Sequence, residues 1–151
     1  MFASLAQVKR TFFRVLIAAQ LLTDGATPER KRLQRWLTDG VAQLRRWAAE
    51  CPENFAPRHR LAQAEAARAR GRAVEAAAGY QAAVVVARRH GAVDVEALAL
   101  ELAARHADAQ GEPRTAADCR RDAIAAYARW GAQAKVDELG AVTAAPARPA
   151  S

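Results

Sequence analysis

GRAVEAAAGYQAAVVVARRH at 71–90, GAVDVEALALELAARHADAQ at 91–110 and GEPRTAADCRRDAIAAYARW at 111–130 are three consecutive blocks of twenty residues. Each opens on glycine, and a fourth glycine, Gly131, follows the last block. Within the blocks apolar residues recur at threes and fours, the period of an amphipathic helix and not the alternation of a strand. A glycine after such a stretch adopts the left-handed conformation that closes a helix, without the clash a Cβ would bring. Gly71, Gly91, Gly111 and Gly131 therefore mark turns, and the chain reads helix, turn, helix, turn. Two blocks make a unit of forty, and other small residues keep that period: Ala64 with Ala104, Ala76 with Ala116, Ala83 with Ala123. Matched small residues let paired helices approach closely, and repetition at this length is how helical solenoids are encoded. The fold expected is all-α: antiparallel helix-turn-helix repeats in a short solenoid over residues 1–139, with units at about 52–91 and 92–131.

The same periodicity extends toward the amino terminus. A first helix is expected from Ser4 to Leu22, with Leu5, Val8, Phe12, Val15, Ala19 and Leu22 at helical spacing and a stop at Thr23-Asp24-Gly25. A second is expected to be capped by Thr27, with Pro28 in the first helical position, where its missing amide costs nothing. Trp36 and Trp47, eleven residues apart, share one side of it with Leu33, Leu37 and Leu44, so both are expected to face the core. Asp39-Gly40 inside this helix is locally unfavourable by about 1 kcal/mol against Ala and points to a kink. Cys51-Pro52-Glu53-Asn54 breaks the chain, and the third helix is expected to be starting at Pro57 and to end near Arg70. The next three run from Arg72 to His90, Ala92 to Gln110 and Pro113 to Trp130. A short seventh is expected between Ala132 and Leu139. The tail 140–151, with Pro146 and Pro149 among small residues, is expected to be disordered.

Composition bounds the function without naming it. Ala fills 41 of the 151 positions, and 23 Lys and Arg against 16 Asp and Glu give a formal charge of +7. Ala and Arg rising together is what a GC-rich coding sequence produces, so the basic pI near 10.4 carries little functional weight. The one dense cluster is Arg30, Lys31, Arg32 and Arg35, followed by Arg45 and Arg46. Helical spacing spreads it over most of a circumference, as on a solvated helix. Cys51 and Cys119 form neither a disulfide framework nor a zinc spacing, which fits small buried or half-buried thiols in a reducing compartment. Lys9, Arg10 and Arg14 beside the apolar run Val15–Leu22 faintly resemble a signal peptide. Asp24-Gly25-Ala26 is a poor cleavage site, however, and the location expected is cytoplasmic.

Ala64, Ala76, Tyr80 and Ala83 stand at the mutual spacings of the small, small, aromatic and small positions by which tetratricopeptide repeats dock helix on helix. In the second unit Ala104, Ala116 and Ala123 hold, and Arg120 stands where the aromatic would be. The chain resembles that repeat class in degenerate form. A further ordered series is Pro52-Glu53-Asn54-Phe55, Ala64-Glu65, Ala67-Arg68-Ala69-Arg70-Gly71-Arg72, Glu75-Ala76, Glu96-Ala97-Leu98-Ala99, Glu101-Leu102-Ala103-Ala104-Arg105 and Tyr127-Ala128-Arg129-Trp130-Gly131-Ala132, with Lys135-Val136 and Leu139. This series, over roughly residues 12–140, looks like the helical-repeat region of bacterial multidomain hybrid kinases. In those proteins a serine/threonine kinase-like domain and an AAA-type ATPase module precede the repeats, and GAF and histidine-kinase domains follow. Pro57 and His106-Ala107 depart from that pattern, as in a diverged copy. The resemblance implies a signalling context and a non-catalytic role for this segment.

The residues themselves carry no recognisable chemistry. No glycine precedes a Lys-Ser or Lys-Thr as a phosphate-cradling P-loop requires, and HRD and DFG elements are missing. None of His59, His90 and His106 has the surroundings of a phospho-accepting histidine. His90, beside Gly91 at a helix end, reads as a favourable cation at the carbonyl end of a dipole. Glu96 with Glu101, or Asp118 with Asp122, could be imagined as acid/base pairs, but carboxylates on Arg-rich helices more often form ion pairs, as Asp118 would with Arg121. No catalytic residue, metal ligand or cofactor site is therefore assigned. The function expected is a non-catalytic module for protein–protein interaction or signal relay; the alternative is a basic helical module on nucleic acid or an anionic membrane. The expected interface is the first helix, apolar nearly all round, through Phe12, Phe13, Ile17 and Leu21, together with the concave face. Phe13, Ile17 and Leu21 would lie uncovered for want of a preceding repeat, with self-association or a protein partner as the result.

Overall fold

The computed structural model describes residues 3–25 and 27–145. Among these residues seven helices follow one another: α1 (Leu5–Thr23), α2 (Arg30–Glu50), α3 (Pro52–Ala69), α4 (Ala73–Arg89), α5 (Val93–Ala109), α6 (Pro113–Trp130) and α7 (Gln133–Ala144). Among the described residues there is no strand, and no helix is long and apolar enough to cross a membrane.

One turn, used four times, sets the architecture from α3 to α7. Gly71, Gly91, Gly111 and Gly131 have φ of 74°, 66°, 74° and 86°. The residue after each glycine then serves both helices. Its amide donates to the carbonyl five residues back, Arg72 to Ala67, Ala92 to Ala87, Glu112 to Ala107 and Ala132 to Tyr127, each at 2.9 Å. Its own carbonyl accepts the first bond of the next helix, from Ala76, Glu96, Ala116 and Val136. This is the Schellman closure, in which orphan carbonyls at a helix end are satisfied by the turn itself. Identical turns fold successive helices back on one another, so each packs on its sequence neighbours, with α1 also meeting α3 and α3 also meeting α5.

The repeat positions lie inside these packed faces. Ala64, Ala76, Tyr80, Ala83, Ala104, Ala116 and Ala123 are all buried. Close approach is evident where α4 packs on α3: a Cβ on Gly79 would sit 2.9 Å from the Ala64 Cβ and 3.0 Å from its Cα.

Five expectations are corrected. Trp36 and Trp47 pack against the core, as expected, but only at its edge and half-buried; the fully buried row of α2 is Leu33, Leu37, Leu44 and Ala48. Trp36 lies between the guanidinium groups of Arg14 and Arg32, 4.4 and 4.7 Å from its ring centre, as amphipathic aromatics do at an edge. No helix break occurs at Asp39-Gly40: α2 runs straight through it. Gly40 is there because the Val15 side chain of α1 occupies the space its Cβ would take. Pro28 lies in the turn ahead of α2, which begins at Arg30, and the Thr27 hydroxyl accepts from the Glu29 amide. Pro57 lies inside α3, which has already begun at Pro52. Last, α7 passes through Gly140 to Ala144; the rest of the expected tail, 146–151, is outside the described residues.

His59 on α3 has an Nε2 buried without a hydrogen-bond partner. Burial holds its pKa below 6.5, and Arg60 and Arg45 add to the effect. The unfolded chain therefore binds this proton more readily than the folded one, so stability should fall as pH drops below 6.5. Urea unfolding at about pH 7.5 and 5.5 checks this: the loss seen in the wild type should shrink in His59→Leu.

Candidate functional site

Two hollows follow one another along the side of the array to which α1, α3 and α5 all contribute. The first, about 260 Å³, is bordered by Phe12 and Phe13 of α1, Val95 and Leu98 of α5 and Trp130 of α6, with Lys135 of α7 at its edge. The second, about 460 Å³, is bordered by Gln20 of α1, Arg68 of α3, and Leu102, Arg105 and His106 of α5. Leu98 and Leu102 are one turn apart on α5, and Phe13 and Gln20 two turns apart on α1, so the hollows form one groove. Its first half is almost wholly apolar and its second half mixed. Phe13 and Trp130 stand half-exposed, at 51% and 56%.

Apart from Lys9 of α1, which borders the first hollow, the charged side chains of the groove are held by bonds within the fold. Arg58 of α3 reaches Asp94 of α5 at 3.0 Å. Glu65, 1% exposed, accepts from Arg68 at 2.7 Å and from the Tyr80 hydroxyl. Glu101, 2% exposed, accepts from Tyr127 and Arg105 at 2.5 Å and from Lys135 at 3.1 Å. Burial, reinforced by the neighbouring carboxylate, pushes the Tyr80 and Tyr127 phenols far above their ordinary value, so both remain neutral donors. His106 is buried beside Tyr80, its Nε2 2.9 Å from the Ala73 carbonyl oxygen. Glu96 and Glu101, weighed above as an acid/base pair, are each bound to cations: Glu96 takes Arg88 and Arg129, both at 2.8 Å. Asp118 and Asp122 share Arg121. Burial pushes the Cys119 thiol up, with Asp122 and Asp118 adding to it, while Cys51 is half-buried. Among the described residues no group of three or more His, Cys, Asp or Glu is placed to hold a metal ion.

The expected interface on α1 divides in two. Phe12 is 2% exposed and belongs to the core, in correction of its assignment to the surface. It shares the inward face of α1 with Val8, Val15, Ala19 and Leu22. Phe13, Ile17 and Leu21 lie on the open side, 47–56% exposed. They are four residues apart and so form one ridge.

Sequence reading missed the buried carboxylate Glu65. The signal was present: a lone acid in Ala64-Glu65-Ala66-Ala67, inside an apolar stripe, needs a buried partner. Comparison with models of protein families, with curated proteins and with solved structures finds no match to this chain.

Proposed function

We propose that this chain is a non-catalytic helical-repeat module that holds a segment of a protein partner in the groove between α1, α5 and α6, and that it serves or derives from a bacterial signalling protein of the hybrid-kinase kind it resembles. The observation that carries this reading is the apolar half of the groove, where half-exposed Phe13 and Trp130 flank Leu98 and Val95. Exposed aromatics at the mouth of a concave apolar site are the usual anchors of a binding surface. The ion pairs around it are satisfied within the fold, so they shape the groove without needing a ligand's charge.

Selection from a displayed library of random peptides tests the reading. Enriched peptides should bind the wild type and lose at least tenfold on Trp130→Ala and on Leu98→Glu, with helicity unchanged. Peptides that bind both variants as well as the wild type would place recognition elsewhere. The concentration of Arg in α2 favours a second reading, binding to nucleic acid or an anionic membrane. Counterion-driven binding must collapse as salt rises, whereas groove binding should change little, so titrating a DNA duplex at low and high salt separates the two.

A further inference from the structure

The open ridge of α1 lies outside the groove, apart from Phe13 at its corner. We propose that Phe13, Ile17 and Leu21 form a second docking surface, whose occupant is an amphipathic helix with acidic flanks, supplied by another protein. The ridge is one row of residues four apart, the geometry that interlocks with the groove of a crossing helix. The opposite side of α1 is committed to its own core through Val8, Phe12, Val15, Ala19 and Leu22. At 1.5 Å per residue the row spans about 12 Å, a normal contact length for two crossing helices.

Charge decides the occupant. α1 carries Lys9, Arg10 and Arg14 and no acidic residue. Arg10 and Arg14 precede Phe13 and Ile17 by three residues, so they stand on the ridge's own face. Arg14 is fixed there by stacking on Trp36. Beyond it, the hollow between α1 and α2 adds Arg35 and Arg46 against the single acid Asp39. Among the described residues none of Lys9, Arg10, Arg14, Arg35 or Arg46 meets a carboxylate. The imbalance is local: residues 1–50 hold nine Lys and Arg against four Asp and Glu, and residues 51–151 fourteen against twelve. A second copy docked by the same face would set these cations against their own kind, a repulsion that disfavours isologous pairing. A bilayer takes up the broad apolar face of an interfacial helix, whereas this row is one residue wide. Acidic residues flanking an apolar stripe satisfy both features at once, as paired flanking charges do between coiled-coil helices.

The probe is a synthetic peptide of about 16 residues with Leu at helical spacing and Glu on both flanks, followed by fluorescence anisotropy against the full chain. Saturable one-to-one binding is expected. Ile17→Glu or Leu21→Glu should weaken it at least tenfold with the helical spectrum intact. Arg10→Glu with Arg14→Glu should do the same and transfer preference to a peptide carrying Lys in place of Glu; both arginines are exposed, and the helical spectrum should again be intact. Leu98→Glu, in the groove, should leave binding unchanged, so this surface and the groove stand or fall separately. The proposal is overturned if the peptide does not bind, if a scrambled peptide of equal composition binds as well, or if the ridge variants bind normally. Sedimentation showing dimers that Ile17→Glu dissolves would assign the face to a second copy. Binding to phosphatidylserine vesicles lost in Ile17→Glu, without peptide binding, would assign it to a membrane.

Discussion

Leu37→Ala is expected to lower the unfolding free energy by about 3 kcal/mol, and Trp36→Ala, one residue earlier, by only about 1 kcal/mol. Leu37 is 2% exposed, in the same core as Leu33 and Leu44, so its truncation loses transfer energy and leaves a cavity that α1 and α3, the helices packed on α2, close only in part. Trp36 packs only against the edge of that core. Its removal forfeits half-buried area and two cation–π contacts, and Arg14 and Arg32 can turn to water at little cost. Urea unfolding of both variants checks the ordering. A larger loss at Trp36 than at Leu37 would show that the tryptophan is the true anchor of α2.

Arg68→Ala is expected to cost a similar amount, about 3 kcal/mol, for a different reason. Glu65 is buried at the junction of α3 and α4, and among the described residues Arg68 is its only cationic partner. Removing one member of a buried pair strands the other charge, which is far worse than losing both. Arg68→Ala combined with Glu65→Gln should therefore recover most of the loss, because the Gln side-chain oxygen still accepts from Tyr80 and no charge remains. A double-mutant cycle measures this as a coupling of about 2 kcal/mol. Strictly additive losses would mean that solvent already screens the pair.

How much of this was legible in the sequence follows from which features are local. The four glycine turns were readable because a left-handed residue at the end of an apolar helical stretch has few alternatives to glycine. The junction of α2 and α3 has no such residue. A bend at Cys51 followed by Pro52 in the first helical turn makes it, and Pro57 further down looked like the start. Trp36 and Trp47 illustrate a limit of periodicity: eleven-residue spacing correctly puts them on one face against the core, but at the flank of the Leu33, Leu37 and Leu44 row, where each is only half-buried. Phe12 and Phe13 differ by one position, and only the placement of α2 and α3 decides which of them is inside. Gly40 spoke of a kink because the sequence cannot show Val15 lying against it. The groove itself was least legible, since it joins Phe13 to Trp130 across more than a hundred residues.

The glycine turns also limit how this chain can change. In each, a single residue ends one helix with its amide and begins the next with its carbonyl, so no spare residue exists to absorb a change in length. Adding or deleting one residue within a helix would rotate everything beyond it by about 100° and bring a different face to the core. Surface side chains can drift freely under such a constraint, while length changes most readily by whole forty-residue units, which restore both the face and the direction of the helices beyond. Single-residue insertions at 75–90 or 95–110 should accordingly be far less tolerated than substitutions at the exposed positions of the same helices.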